Sequence, residues 1–411
     1  MSEFSLSSGN PSGHVCGLCN SVFQSRNKLF KHLPICKSIK DGTSIPSSEE
    51  NTNISSTIEK FDFHSYNAYI YVTGGRIRGK TLGSVERYNI ETKIWETCPP
   101  MIENRGSHCV VTIGSPSVSH YVSNPSPITP TCSSNTHSTT LSSLESSTLN
   151  QSNNSPSNPC MHSSLSPSHL YILGGGGFHS NLSTCEAYNP LTNQYSPISP
   201  MNTARHALSA CTLSHYVYAI GGWENGSTCV NTVECYDILS DRWSFRSPMK
   251  TARRLLGVTV YENKIYAFGG NRNDPEWYTA IAEVYDTETD SWSSLSNMPL
   301  KGESSAITVN NRIFIFVHGQ SVLEYIPSTD KYRPISQLPL PEWFNFSLSL
   351  SPFQDIIYII GGASQGRWCK DVYSFNTSTS TWTAIESMQN ARRRSAACLL
   401  VIPRERERER E

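Results

Sequence analysis

The chain has 411 residues, of which 37% are hydrophobic and 16% are charged, so it can bury a sizeable core. Its 33 Lys and Arg residues balance 34 Asp and Glu residues, and a formal charge of −1 excludes a general attraction to nucleic acid or to an anionic membrane. No apolar run approaches the roughly 18 residues of a membrane span, and the N-terminal residues lack the apolar segment of a secretory signal. We therefore expect a cytoplasmic protein, or a nuclear one, whose cysteines form no disulfides.

The first element along the chain is a metal-binding pattern in residues 14–37, which follow a polar stretch, 1–13, that we expect to be disordered. Two Cys separated by two residues, then a His and a Cys separated by three, suit tetrahedral Zn²⁺: Cys16, Cys19, His32 and Cys36. Phe23 and Leu29 supply a small apolar core between the Cys turn and a helix. The pattern resembles a C2H2 zinc finger in its C2HC variant, which implies a ββα fold stabilised by one structural zinc ion. Pro34 departs from the family's continuous helix, so Cys36 is expected to bind the metal from a turn.

The finger has two possible partners. In DNA-binding fingers the helix reads bases from positions that correspond here to Ser25, Lys28 and Lys31. One finger covers only about 3 bp and no second finger follows, so weak nucleic-acid binding remains the alternative to protein binding. Residues 38–60 are predicted to be a flexible linker.

The rest of the chain is an internal repeat with two spacings. Five strand-like runs end in paired glycines and a sixth runs into His318-Gly319; the pairs are Gly74-Gly75, Gly174-Gly175, Gly221-Gly222, Gly269-Gly270 and Gly361-Gly362. Six times an aromatic residue is followed seven residues later by another, and six residues after that by Met or Leu: Tyr88, Trp95, Met101; Tyr188, Tyr195, Met201; Tyr236, Trp243, Met249; Tyr285, Trp292, Met298; Tyr325, Tyr332, Leu338; and Phe375, Trp382, Met388. Short β-like runs at regular spacing indicate an all-β repeat protein.

Charged residues complete the repeat. Two positions before the first aromatic stand Glu86, Glu186, Glu234 and Glu283, whereas Glu324 is one position off and Tyr373 takes the sixth place. Four positions after the Met stand Arg105, Arg205, Arg253 and Arg392, with Gly302 in the fourth copy. This set resembles the Kelch repeat, which implies a six-bladed β-propeller over residues 61–403. The run Ser395–Ile402 is expected to pair with Tyr69–Thr73 and close the ring.

Residues 115–168 lengthen one repeat. The interval from Gly74 to Gly174 is 100 residues, against 47 from Gly174 to Gly221. The added segment is rich in Ser, Thr, Asn and Pro, so we expect a disordered insertion in blade two, either neutral or a phosphorylated regulatory loop. Residues 404–411 alternate Arg and Glu as a charged tail to which we assign no function.

One end of the propeller is expected to bind a partner. Candidate residues follow the paired glycines or lie near the Met-x-x-x-Arg turn: Arg76, Arg105, His206, Trp223, Arg254, Asn271, Glu303 and Arg393. The excess of Arg favours a ligand with carboxylates or phosphates, because a guanidinium matches them in two hydrogen bonds. The recurrent Arg residues, Arg105 among them, could instead be structural, which makes Arg254 and Arg393 the stronger candidates.

Three classes of function remain open. The His residues outside the finger are scattered without metal-ligand spacing, so we expect no enzyme activity, although some Kelch-type propellers are metalloenzymes. The favoured hypothesis is a non-enzymatic scaffold or adaptor that binds an acidic or phosphorylated peptide. A nucleic-acid-associated factor that uses the finger and a metalloenzyme are the alternatives.

Overall fold

The computed structural model describes residues 14–15, 22–23, 66–113, 169–177, 180–225, 228–273, 275–339, 347–350, 355–364 and 367–404. The chain divides into two compact units, Met1–Asp62 and Phe63–Glu411. In the first unit two short strands, His14–Val15 and Val22–Phe23, pair antiparallel, with Val15 opposite Val22. The predicted zinc ligands and DNA-contact positions lie outside the described residues: Cys16, Cys19, His32, Cys36, Ser25, Lys28 and Lys31.

The described part of the second unit is all β, without a helix, and contains six four-stranded antiparallel sheets, numbered I to VI along the chain. The first three are sheet I (Ala396–Pro403, Tyr66–Thr73, Val85–Asn89, Trp95–Cys98), sheet II (Cys109–Ile113, His169–Leu173, Cys185–Asn189, Gln194–Ile198) and sheet III (Ser209–Leu213, Tyr216–Ile220, Val233–Asp237, Arg242–Arg246). The others are sheet IV (Gly257–Tyr261, Lys264–Phe268, Ala282–Asp286, Ser291–Ser294), sheet V (Ser304–Val309, Arg312–Val317, Ser321–Ile326, Lys331–Gln337) and sheet VI (Ser347–Leu350, Ile356–Ile360, Val372–Asn376, Thr381–Ile385). Strands are numbered one to four within each sheet in the order given.

Short ladders lie beyond the Gly-Gly ends of the second strands. Arg76–Ile77 pairs with Lys80–Thr81, and Ala363–Ser364 pairs with Arg367–Trp368. Trp223–Glu224 lies between Arg205–His206 and Thr228–Cys229. In the portion of the chain that the structure covers, no helix is long and apolar enough to cross a membrane.

The seven-residue aromatic spacing is the register of a hairpin. In every sheet the two aromatics face each other across the third and fourth strands, as Tyr236 does opposite Trp243. Their ring centroids lie between 4.6 and 5.2 Å apart, within the range of favourable aromatic pairs. The third-strand aromatic is buried in all six sheets: in sheets II to VI it belongs to an apolar core cluster, and in sheet I Tyr88 packs against Tyr358 of sheet VI.

The two ends of this unit meet in one sheet. The C-terminal strand Ala396–Pro403 pairs along its whole length with Tyr66–Thr73, so each covers an edge that the other would leave open. The first strands of successive sheets lie side by side from II to VI, and the first strand of sheet I lies between those of VI and II. Ile113 and His169, the described residues on either side of 114–168, are paired neighbours in sheet II. The insertion therefore leaves the sheet intact, because a longer loop between paired strands adds little entropy cost.

A buried Arg anchors most of the connections between sheets. Arg105, Arg205, Arg253 and Arg392 are at most 1% exposed, and each donates to the carbonyl of the first glycine of its sheet at 2.9–3.0 Å. Each also pairs with the third-strand Glu of that sheet: Glu186, Glu234, Glu283 and Glu86 in the same order. These Glu carboxylates accept a further backbone N–H from the residue after the Met of the connection: Ile102, Asn202, Lys250 and Gln389. The repeat's Glu and Arg therefore join these four connections to the sheet that follows each of them.

No disulfide joins the cysteines of the described region. Eight thiols lie in or beside the sheets without a disulfide: Cys98, Cys109, Cys185, Cys211, Cys229, Cys235, Cys369 and Cys398. Burial raises the pKa of Cys98 and Cys185 to about 11 and that of Cys109 to about 12. These thiols remain protonated at neutral pH and act as small apolar core residues.

Candidate binding face

The candidate residues come together at the end of the sheets where the second strands stop in Gly-Gly. There the residue after the glycine pair exchanges backbone hydrogen bonds with the residue three positions before the first strand of the same sheet. Arg76 pairs in this way with Arg393 at 2.9 and 3.2 Å, and Asn271 pairs with Arg254 at 2.8 and 3.0 Å. In sheet III the partners are Trp223 and His206. In the sequence, the residues after Gly-Gly and the residues of the Met-x-x-x-Arg turn form two separate groups. In each of these three sheets, one short ladder pairs a member of the first group with a member of the second.

Gly270 is what lets this ladder form in sheet IV. Its φ is +100°, and a Cβ built on it would lie 2.6 Å from the carbonyl oxygen of Arg254. Any side chain there would push the turn away from the residue that follows it. The close approach of the two backbones therefore depends on glycine, and it places Asn271 opposite Arg254.

Two arginines of the face stack on tryptophans of the preceding sheet. The Arg254 guanidinium lies 3.7 Å from the Trp223 ring centroid, and that of Arg393 lies 5.8 Å from the Trp368 centroid. A cation over an aromatic face gains roughly 0.5–2 kcal/mol. Stacking uses the flat face of the guanidinium, so its in-plane N–H groups stay available for hydrogen bonds.

His206 is held neutral at the edge of the face. Its Nδ1 lies 2.7 Å from Asn181 Oδ1, and the Asn181 amide donates to the Trp223 carbonyl at 2.7 Å. Burial, followed by the charges of Arg394, Arg76 and Arg254, lowers the His206 pKa to about 4. Sequence reasoning missed Asn181, since it belongs to no recurring position of the repeat.

Glu303 is the acidic member of the face. Its Oε1 accepts a hydrogen bond from the Asn271 amide at 3.2 Å, and its carbonyl accepts from the backbone N–H of His318 at 2.9 Å. Burial raises the pKa of this carboxyl, although the Arg394 and Arg254 charges and the Asn271 hydrogen bond act in the opposite direction. Glu303 therefore offsets only part of the positive charge around it.

Arg394 is the main residue that the sequence-based prediction missed. It has φ +53° and occupies the position that Ser107, Ala207 and Leu255 occupy in sheets II, III and IV, each with φ between +52° and +56°. Backbone N–H groups link these positions in order: Leu255 donates to Ala207, Ala207 to Ser107, and Ser107 to Arg394, at 2.7–2.9 Å. The signal was in the sequence, because Arg392, Arg393 and Arg394 form a run of three where the other copies have at most two.

The side chain of Arg394 lies among like charges. Burial is the largest cause that lowers its pKa; Glu303 opposes this, while Arg393, Arg254 and Arg76 lower the pKa further. Arg76 itself extends over sheet II, where a Cβ on Gly176 would lie 2.5 Å from its Nη2 and one on Gly106 2.7 Å from its Cγ. We use the name Arg face for Arg76, His206, Trp223, Arg254, Asn271, Glu303, Arg393 and Arg394.

Arg105 does not belong with these residues. It is 1% exposed and its donors are used by Glu186, Glu103 and the carbonyls of Gly174 and Thr184. A guanidinium so placed cannot reach a ligand without unfolding the turn. The geometry therefore favours the structural role that the sequence left open for it.

The four arginines of the Arg face lack protein counterions. Within the described residues, no carboxylate lies within 4 Å of the charged groups of Arg76, Arg254, Arg393 or Arg394. The Nε atoms of Arg76, Arg254 and Arg393 are buried and have no hydrogen-bond acceptor there. Among the same residues, no group of three or more His, Cys, Asp or Glu side chains is arranged to hold a metal ion. The face thus offers hydrogen-bond donors and positive charge.

Comparison with known proteins agrees with the repeat. The family model described as Kelch motif matches residues 63–102, 163–202, 204–250, 252–299 and 349–389, more than half of the chain. The matched ranges omit sheet V, the copy with Gly302, His318 and a displaced Glu324. Kelch-like ECH-associated protein 1B of Danio rerio is 40% identical over 60 residues, which are 15% of this chain and 10% of that protein.

Proposed function

The chain belongs to the Kelch-repeat family, and we propose that it is a non-enzymatic scaffold whose Arg face binds an acidic or phosphorylated peptide of a partner protein. Protein binding is the general role that the family membership supports. The observation that carries the finer proposal is the set of four arginines without counterions in the described region. Burying such groups against a protein ligand is favourable only when the ligand supplies acceptors and negative charge.

We further propose that the six sheets form a closed six-bladed propeller. The pairing of Ala396–Pro403 with Tyr66–Thr73 supports closure, as does the cyclic order of the first strands. In a propeller the loops at one end surround the central channel. Residues from sheets I, III, IV and V would then face one ligand together, which explains why the charges of Arg394, Arg254 and Arg76 act on the same His206.

The relative supports the class of function and no more. Its name records an association with ECH, and this chain corresponds to only 10% of its length. Partner, pathway and any further domains of that protein are therefore not transferred. The ligand of this chain is proposed from its own residues.

The N-terminal unit is proposed to be a C2HC zinc finger that contacts protein in the cytoplasm or nucleus. Cys16, Cys19, His32 and Cys36 would hold the ion, and zinc would supply a folding free energy that a core of two apolar residues cannot. The antiparallel pair His14–Val15 and Val22–Phe23 supports this, because it brackets the two cysteines as a finger hairpin would. Binding of nucleic acid through Ser25, Lys28 and Lys31 has no support from a described residue.

Binding of a simple acidic probe tests the role of the Arg face. Labelled hexaglutamate titrated with the full chain should bind measurably, and Arg254→Ala should weaken binding about tenfold or more by removing charge-assisted hydrogen bonds. Arg242→Ala is the matched control, since Arg242 is exposed at the far end of sheet III. Equal loss in both variants, or binding of hexalysine as tight as that of hexaglutamate, would contradict the proposal.

A further inference from the structure

The Arg face holds more positive charge than a single carboxylate can balance. Four guanidinium groups, those of Arg76, Arg254, Arg393 and Arg394, lie with one carboxylate, Glu303, which leaves three positive charges when Glu303 is ionised. Arg394 is largely buried and interacts electrostatically with each of the others. A ligand that neutralises this group must bring more than one negative charge to one place.

The donors approach from several sheets. Arg393 and Arg394 precede the first strand of sheet I, Arg76 follows its second strand and leans over Gly176 of sheet II, and Arg254 belongs to sheet IV. A planar carboxylate accepts bidentate bonds from one fork in its own plane. A tetrahedral phosphate presents three terminal oxygens in three directions and can accept from guanidinium groups on different sides.

The surroundings hold these donors in place. Arg254 is stacked on Trp223 at 3.7 Å, which fixes the plane of its guanidinium, and Arg393 lies over Trp368 at 5.8 Å. The Arg394 carbonyl accepts the Ser107 N–H at 2.8 Å, so its backbone is tied to sheet II. These contacts hold the charged groups in place before a ligand arrives, so an anion can bind without a large entropic cost.

We propose that Arg394, together with Arg76, Arg254 and Arg393, binds a phosphate monoester dianion carried by a phosphorylated Ser or Thr of the partner peptide. This inference rests on the proposed function, because it assigns one subsite of the same Arg face. It makes Arg394 the residue that distinguishes a phosphorylated partner from a merely acidic one. A phosphoryl group carries about −1.5 to −2 charges at pH 7, against −1 for Glu, so it matches the excess charge better.

Three labelled pentapeptides that differ only at the centre test the preference: Gly-Gly-X-Gly-Gly with phosphoserine, Glu or Ser. The full chain should bind the phosphoserine peptide at least tenfold more tightly than the Glu peptide. Inorganic phosphate should compete, but at concentrations well above the peptide's Kd, if the ester and the peptide backbone both contribute. If inorganic phosphate instead competes at concentrations as low as the peptide's Kd, the site binds the free ion, and the proposal of a phosphorylated peptide as the ligand is overturned.

Arg394→Ser is the decisive variant, because Ser107 already occupies the equivalent position with nearly the same φ. We expect the variant to fold with an unchanged melting temperature and to lose phosphopeptide affinity by about tenfold to a hundredfold, a larger loss than the one that it shows for hexaglutamate. Arg242→Ala should change neither. Equal affinities for the phosphoserine and Glu peptides, or an Arg394→Ser variant that binds both unchanged, would overturn the phosphate site while leaving the scaffold proposal standing. Loss of all acidic-probe binding in the wild-type chain would sink both.

Discussion

Nε of Arg105 donates a 2.9 Å hydrogen bond to Oε1 of Glu186, in a pair whose side chains are 1% and 2% exposed. Arg254, which directly follows the core residue Arg253, has the opposite role: its guanidinium lies over Trp223, and no carboxylate of a described residue lies within 4 Å of it. A guanidinium in this fold is therefore structural when the repeat supplies a Glu and available when it does not. The presence or absence of a paired Glu therefore separates the arginines of the core from those of the Arg face.

Removing one member of a buried Arg–Glu pair should strongly destabilise the folded protein. Arg205 Nη2 and Glu234 Oε1 lie 2.6 Å apart and both side chains are fully buried. Arg205→Ala leaves the Glu234 carboxylate and two carbonyls without their donor, so the free energy of unfolding should fall by about 3–5 kcal/mol. Urea unfolding followed by tryptophan fluorescence measures the change. Lys264→Ala, which breaks the exposed pair with Asp286, is the control and should have little effect; similar losses in the two variants would contradict this assignment.

Gly270 should tolerate alanine much less well than Gly79. Both have a positive φ, +100° and +82°, but a Cβ on Gly270 would meet the Arg254 carbonyl at 2.6 Å while one on Gly79 would meet no atom within 4 Å. Gly79→Ala should therefore cost only the backbone strain, roughly 1–2 kcal/mol, and Gly270→Ala should cost more. Thermal unfolding of both variants isolates the clash as their difference. Gly270→Ala should also weaken hexaglutamate binding, since it moves Asn271 away from Arg254; retention of full binding would show that the ladder does not position the face.

The repeat could be predicted because local spacing fixes it. The seven-residue aromatic interval is a property of one hairpin, and the structure places Tyr88 opposite Trp95 as that interval requires. Sheet V could not be interpreted in the same way. There Leu323 occupies the buried Glu position, and Glu324 instead accepts hydrogen bonds from Arg312 and Arg333. The partner of a charged residue depends on which strands become neighbours, and no local pattern states that.

The face itself was only partly predictable for the same reason. Arg254 and Arg393 follow a recurrent Arg, so their neighbourhood was visible in the sequence. Arg394 stands at a position that is Ser, Ala or Leu elsewhere, and its importance emerges only when Arg76 and Arg254 are brought beside it by different sheets. A comparison of the copies column by column would have shown Arg394 as the exceptional residue.

The zinc proposal predicts one tightly bound ion for each chain. Full-length protein purified with zinc should retain about one equivalent after dialysis, and Cys16→Ser or Cys19→Ser should abolish it because each removes a thiolate ligand. Cys160→Ser is the matched control, as this cysteine belongs to the 115–168 segment and not to the finger pattern of residues 14–37. Atomic absorption gives the stoichiometry. Retention of the ion in Cys16→Ser, or its loss in Cys160→Ser, would reject the proposed ligand set.

Stability should fall as the pH drops below about 6.5, because histidines are buried in their neutral form. Burial, reinforced by the charges of Arg105 and Arg392, lowers the His108 pKa to about 3, and burial with Arg394 lowers that of His318 to about 3. The unfolded chain binds protons near pH 6.5 while the folded chain does not, so protonation favours unfolding from about pH 6.5 down to about pH 3. Each such His adds to the dependence of the unfolding free energy on pH a slope that approaches about 1.4 kcal/mol per pH unit.

His108→Gln tests this linkage at one site. His108 Nε2 lies 2.8 Å from Thr73 Oγ1, so Gln keeps a hydrogen-bonding group there and removes the titration. The variant should be less stable at pH 7, yet its unfolding free energy should decline less steeply between pH 6 and pH 4, by about 1.4 kcal/mol per pH unit. The double variant with His318→Gln should show about twice that reduction. Urea titrations at half-unit pH intervals give the slopes, and parallel pH profiles for wild type and His108→Gln would show that this histidine is already charged in the folded protein.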